Sequence, residues 1–423
     1  MAASVALLLR RAGFGPTSAE LSDAIGRGYS ATVSELTTPT ARDPGAQSTP
    51  LPNLGIDPYN DLPNPTKEQR AAADVKRGAD TEALHRWWLD RVTVANRQAV
   101  EKLVFFWHGH WATSIRKFGS PQWMLAQHQK IRESADFGAM ARKMVTDPAL
   151  VYWLDGQLNS KDAPNENLGR ELLELFMLGI GNYTESDVKA AGRALTGWRV
   201  DLGVPQTAIF FRDSHDAAEK TVLGVTSKFT ATSLVDFLAT QPACPRFIAS
   251  RLWFRYASAE VPIPPVTQDR MIAAFPFPNL MLKALFTDEA FQATAGHLVK
   301  QPIEWFVGAL RQLGIRPAGF SSTVLQEMLF GLRSLGQMPF APPSVGGWPS
   351  GAAWLTPATA QVRFALAARL AEMARPPKLT VEGLADTLAV DTWTDRTYAA
   401  LKGVSEPRRM MTLGLVSPEY LVT

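Results

Sequence analysis

The chain of 423 residues has a single cysteine, Cys244. No intramolecular disulfide can form, so the fold does not depend on an oxidising compartment. Cys244 lies in Pro242-Ala243-Cys244-Pro245-Arg246, a context that does nothing to favour a thiolate, which makes it a poor nucleophile. An excess of charge of one sign is also missing. There are 43 basic and 40 acidic residues, a net charge of +3, and no run of five like charges. Nucleic-acid binders usually carry a clustered basic surplus, so no nucleic-acid partner is expected. No stretch approaches the length of apolar chain needed to span a bilayer, so no membrane span is expected either. The apolar stretch Val5–Leu9 is too short for a secretory leader, and Arg10 and Arg11 follow it where basic residues should precede it. The default expectation is therefore a cytoplasmic location, with export alongside a partner as the alternative. The common catalytic signatures are absent as well: no Gly-x-Ser-x-Gly elbow, no Gly-x-x-x-x-Gly-Lys, no Gly-x-Gly-x-x-Gly and no His-Glu-x-x-His.

Apolar residues make up 46% of the chain and charged ones 20%, which suffices for a sizeable core. The periodicity predicts a mostly α, multi-helical globular fold, read as one unit over 1–423. Thr17 with Glu20 and Thr66 with Gln69 form capping boxes, the second opening a long helix towards residue 95. Further helices are expected near 98–112, 121–135, 138–147, 165–178, from Thr184, and near 232–240, 244–257, 300–314, 322–333, 358–375 and 405–415. Only 199–228 looks extended, and it predicts one small β-hairpin whose turn carries His215. Two Pro/Gly-rich segments, 38–65 and 339–349, cannot be helical throughout. The first reads as a lid or a partly ordered loop. The 12 Trp are core filler or a carbohydrate- or aromatic-binding surface.

Three stretches could carry chemistry. Trp107-His108-Gly109-His110-Trp111 closes the 98–112 helix. On an unbroken helix two such histidines point about 200° apart, but fraying at Gly109 would bring both rings to one side. The alternative is two imidazoles bonded to buried backbone. In the second stretch, Asn165–Leu175, residues Asn167, Glu171 and Glu174 fall within about 60° of arc on one helical face. Glu166 and Arg170 form an i,i+4 ion pair beside them. A helix apolar nearly all round is usually buried, and its carboxylates then need partners or a metal. The bland reading is a solvated face. The third stretch, Asp213–Lys220, holds His215 and Asp216. These two are read either as a flap over the cleft of His110 and Glu171 or as an exposed turn.

These stretches together resemble the family known as domain of unknown function 1800. The matching segments are Leu8–Thr17, Glu101–Ser114, Asn165–Phe176, Gly181–Val188, Ala194–Trp198, His215-Asp216 with Lys220–Gly224, and Pro343–Pro349. They fall in family order along nearly the whole chain. His108-Gly109-His110-Trp111 differs from the His-Asn-His-Phe spelling of many members, keeping the histidines and losing the Asn side chain. The resemblance supplies no reaction. It implies work on extracellular or envelope material, with a sulfatase-like protein as partner, and marks His108, His110, Glu166, Arg170, Glu171, Glu174, Glu185, Asp187, His215 and Asp216.

Two functions follow. One is a hydrolase acting on a polysaccharide or envelope polymer. Glu171, Glu174, His110, His215, Asp216 and Arg170 would be catalytic, and Trp107, Trp111, Asn165, Asn167 and Trp198 would bind substrate. It would work by paired carboxylates, or by a divalent metal held by His108, His110, Glu171 and Glu174. The other is a non-catalytic helical binding or assembly module with a structural polar core.

Overall fold

The computed structural model describes residues 2–38, 42–60, 62, 64–200, 208–376 and 379–423. The described residues fold into 24 α-helices with two two-stranded sheets, so the mostly α architecture read from the sequence is present. No helix among them is long and apolar enough to cross a membrane.

The core gathers in two clusters, and the Gln98–His110 helix is among those that serve both. In the Gln98–His110 helix, Phe106 and Trp107 belong to one cluster while Phe105 belongs to the other. A helix that must bury every face has to be apolar all round, and Leu103-Val104-Phe105-Phe106-Trp107 is. Its few charged groups are neutralised internally. Lys102 Nζ lies 2.6 Å from Glu304, which Arg255 approaches at 2.8 Å. Burial alone would raise the Glu304 carboxyl, but these two cations hold it down to about 2.

The long helix expected after Thr66 runs over Lys67–Val94, opened by the Thr66/Gln69 capping box. The irregular 38–65 segment straps along it: Trp87 Nε1 donates to the Thr49 carbonyl at 3.1 Å, and Arg77 pairs with Asp57 at 2.8 Å. Residues 39–41, 61 and 63 of that segment lie outside the described residues.

The extended region pairs twice. Trp198–Arg199 runs antiparallel to Ile209–Phe210, and Lys220–Val222 to Val225–Ser227. Residues 201–207, part of the expected hairpin, lie outside the described residues. The tight turn is at Leu223 and Gly224, both with positive φ (50° and 79°), and not at His215. Two left-handed residues in a row are what a twisted two-residue hairpin requires. Asp187 fixes that turn by accepting from the Leu223 N–H at 2.7 Å.

Candidate functional site

The Gln98–His110 helix does not fray at Gly109, because helical hydrogen bonding continues until Trp111 N–H caps onto the Trp107 carbonyl at 2.8 Å. His108 and His110 therefore leave it in different directions. His108 enters an aromatic cage, its ring centroid 5.3 Å from Phe340 and 5.6 Å from Trp348. Neither of its nitrogens has a partner, and burial lowers the imidazole to about 4. His110 Nε2 donates to the Phe176 carbonyl at 2.9 Å. A carbonyl can only accept, so the proton sits on Nε2 and leaves Nδ1 a bare, unpartnered acceptor. Burial, with help from the Arg251 charge, brings His110 down to about 3. Among the described residues no three His, Cys, Asp or Glu side chains converge as a metal ion would require. The expected ligand set of His108, His110, Glu171 and Glu174 does not form, because the unbroken helix separates the two rings.

The second stretch begins as a regular helix, Asn167–Glu171, and then widens into a π-helix over Leu172–Met177. The Leu178 N–H reaches back five residues to the Leu173 carbonyl at 2.9 Å. This departs from the uniform helix expected over 165–178, and such turns often mark functional sites. The widened turn shifts Glu174 from the position a 3.6-residue period would give it. Tyr183 donates its hydroxyl to Glu174 Oε2. Glu171, half-buried one turn back, is raised above the ordinary carboxylate range by burial and then by the charge of Glu174, with Arg170 opposing.

The other candidates hold structure. Arg170 forms a two-pronged pair with Glu185, 2.7 Å at each oxygen, and meets Glu166 only at 3.7 Å. Asn165 accepts from the Asn167 N–H at 2.9 Å, and the Asn167 amide donates to the Leu154 carbonyl at 3.1 Å, so both amides shape the helix entry. A Cβ on Gly169 would sit 2.7 Å from the Gly192 nitrogen, so the Asn167–Glu171 and Glu185–Ala194 helices touch backbone to backbone there. Asp187 caps the second of them. His215 Nδ1 contacts the Thr196 carbonyl at 3.0 Å, and Asp216 pairs with Arg193 at 2.6 Å. His215 is thus tied to the chain at Thr196 and does not line the cavity of His110, so it forms no flap there. Trp107 and Trp111 are 2% and 0% exposed and cannot offer a face to a sugar. Trp198 packs against Phe210 in a tilted ring contact at 5.2 Å, also away from that cavity.

What the fold does bring together is a cavity of about 470 Å³, bordered by His110, Glu174, Asn182, Arg246, Ser250 and Arg251 over an apolar floor that includes Phe247. Five segments build it: the end of the Gln98–His110 helix, the π-turn, the stretch from Leu178 to Asn182 that follows it, the Ala243–Tyr256 helix, and Val345-Gly346 of the Pro/Gly-rich loop. That loop lies directly on the first helix. A Cβ on Gly347, whose φ is +85°, would stand 2.4 Å from the Gly109 carbonyl oxygen. Sequence reasoning missed Arg246 and Arg251. The available signal was their helix, which holds Arg246, Arg251 and Arg255 without a single acid.

These features define a helical protein with a polar cavity where segments far apart in the chain converge. A family model described as protein of unknown function (DUF1800) matches residues 7–422. The chain belongs to that family. Neither a curated protein nor a solved structure matches it.

Proposed function

We propose that the chain, acting as one unit, is a hydrolase of a polysaccharide or envelope polymer that works by paired carboxylates. The observation that carries this is the pair Glu171 and Glu174. One carboxyl is held above its usual range by burial and by the other's charge, while the second borders an open cavity. A carboxyl raised in this way beside a second carboxylate is suited to act as the acid while its neighbour acts as the base. Glu171 in its protonated form donates to the leaving oxygen of the scissile C–O bond. Glu174 takes a proton from the attacking water, whose oxygen forms the new bond to carbon, so one water is consumed per cleavage. Tyr183 holds one oxygen of Glu174 and leaves the other free for that water. Burial and Glu174 push the tyrosine up to about 12, so it remains a donor throughout the neutral range.

The test is release of new reducing ends from a panel of envelope polysaccharides. Glu174→Gln and Glu171→Gln should each lower the rate by about 10²–10⁴-fold. Arg170→Ala, which removes a cation opposing the Glu171 shift, should keep activity and move the alkaline limb of the pH profile upwards. A panel that yields no new ends, or glutamine variants with full activity, refutes the hydrolase and leaves the binding module.

A further inference from the structure

Arg251 is the most unusual charge in the cavity. Its Nε is buried without a hydrogen-bond partner, and no carboxylate among the described residues pairs with it. The cost of burying a guanidinium shows in its lowered pKa, which burial alone causes. Arg246, on the same helix and the same cavity wall, also has no acidic partner among the described residues. Other buried arginines are answered by acids, Arg255 by Glu304, Arg132 by Glu101 and Arg311 by Glu20, or, like Arg11 and Arg363, by main-chain carbonyls. The one acid on this wall, Glu174, is engaged by Tyr183. His110 also lines the cavity, and its unpartnered Nδ1 is an acceptor to which a sugar hydroxyl beside the anion can donate.

We infer that the cavity bordered by Arg246 and Arg251 receives an oxyanion, a carboxylate, phosphate or sulfate carried by the polymer, so that the substrate is an acidic polysaccharide. A guanidinium presents paired donors that match an oxyanion fork to fork, and such charge-assisted pairs are strong where water is excluded. The anion supplies what the sequence withholds from Arg251, a counter-charge. Phe247 and Leu175 give the sugar ring an apolar support beside it, and Asn182 and Ser250 supply neutral polar groups at the rim. Anchoring the anion here holds the chain against Glu174, where cleavage is proposed. The inference rests on the hydrolase reading only for what the anion is attached to.

The experiment is equilibrium binding by the full chain of three probes: a hexuronate tetrasaccharide, the same oligosaccharide with its carboxyls reduced to alcohols, and a sulfated tetrasaccharide. Inorganic phosphate serves as competitor. One or both acidic probes should bind at least about tenfold more tightly than the reduced one. That preference should shrink as salt rises and as phosphate is added. Arg251→Gln should abolish it, and Arg246→Ala, an exposed position that leaves folding intact, should weaken it several-fold. Which acidic probe wins identifies the oxyanion. Equal affinity for acidic and reduced probes, or unchanged preference in Arg246→Ala and in a folded Arg251→Gln, overturns the inference. Binding of an acidic probe without cleavage leaves the inference standing and removes the hydrolase. Cleavage of neutral glycans at full rate, with no preference for acid, does the reverse.

Discussion

His108 and His110 stand two residues apart on one helix and meet opposite surroundings. The His108 ring is closed in by Phe340 and Trp348 and bonds to nothing, so it functions as an aromatic filler. The His110 ring is equally buried, yet one nitrogen is engaged by Phe176 and the other is left bare on a cavity wall that carries two unpaired arginines. The same side chain, in the same five-residue spelling, serves packing on one side and a polar site on the other. A motif of two histidines therefore does not mean one site. The helix has to be followed to see which face each ring occupies.

Acid would strain both sides of this comparison at once. His108 and His110 have folded-state pKa values lowered to about 4 and about 3, and burial puts His128 well below its ordinary value. An unfolded chain takes up these protons near pH 6.5, before the folded chain can. The stability they permit is therefore complete above about pH 6.5 and is lost as pH falls from there towards 4 and then 3. The expected loss is on the order of several kcal/mol, measured by urea unfolding across that range. A flat profile between pH 7 and 4 would mean that the rings are open to solvent.

The seam between the two regions should be next in sensitivity. Gly347→Ala would drive a methyl into the Gly109 carbonyl at a backbone position with φ +85°. A cost of about 3 kcal/mol is expected, from both the left-handed strain and the clash. The check is the shift in unfolding midpoint, and a change below about 1 kcal/mol would show that the loop can lift away.

The smallest effect separates the two rings directly. His108→Leu discards two unsatisfied nitrogens from an aromatic cage while keeping most of the volume, so stability should change by less than about 1 kcal/mol in either direction. His110→Leu removes the donor to the Phe176 carbonyl and should cost about 1–3 kcal/mol. Matching losses from the two substitutions would erase the distinction drawn between them.

The capping boxes at Thr17 and Thr66, the helices they open, and the non-helical 339–349 loop were legible because they depend on neighbours a few residues away. The short helices Pro265–Ile272, Pro278–Phe286 and Asp395–Lys402 were not read, since eight or nine residues carry little periodicity and such helices owe their stability to what they pack on. Of the cavity's border, the sequence marked His110 and Glu174, with Glu171 one turn back from it. It also promoted Trp107, Trp111, Asn165, Asn167, His215 and Asp216, which the fold uses for packing, caps and ties.

What the sequence determined by itself is a helical chain of the DUF1800 family, with polar residues concentrated in apolar segments. Helical period, capping and family spelling are local properties carried by neighbouring residues. Only the tertiary structure decided which of those polar residues share a space. Glu174 reaches the cavity through a π-turn, a feature of hydrogen bonding that no spacing of side chains announced. Arg246 and Arg251 come from a helix some 70 residues further along, and Gly346 from nearly a hundred beyond that. Their meeting depends on which helical faces pack against which, and that is fixed by contacts between segments distant in the chain.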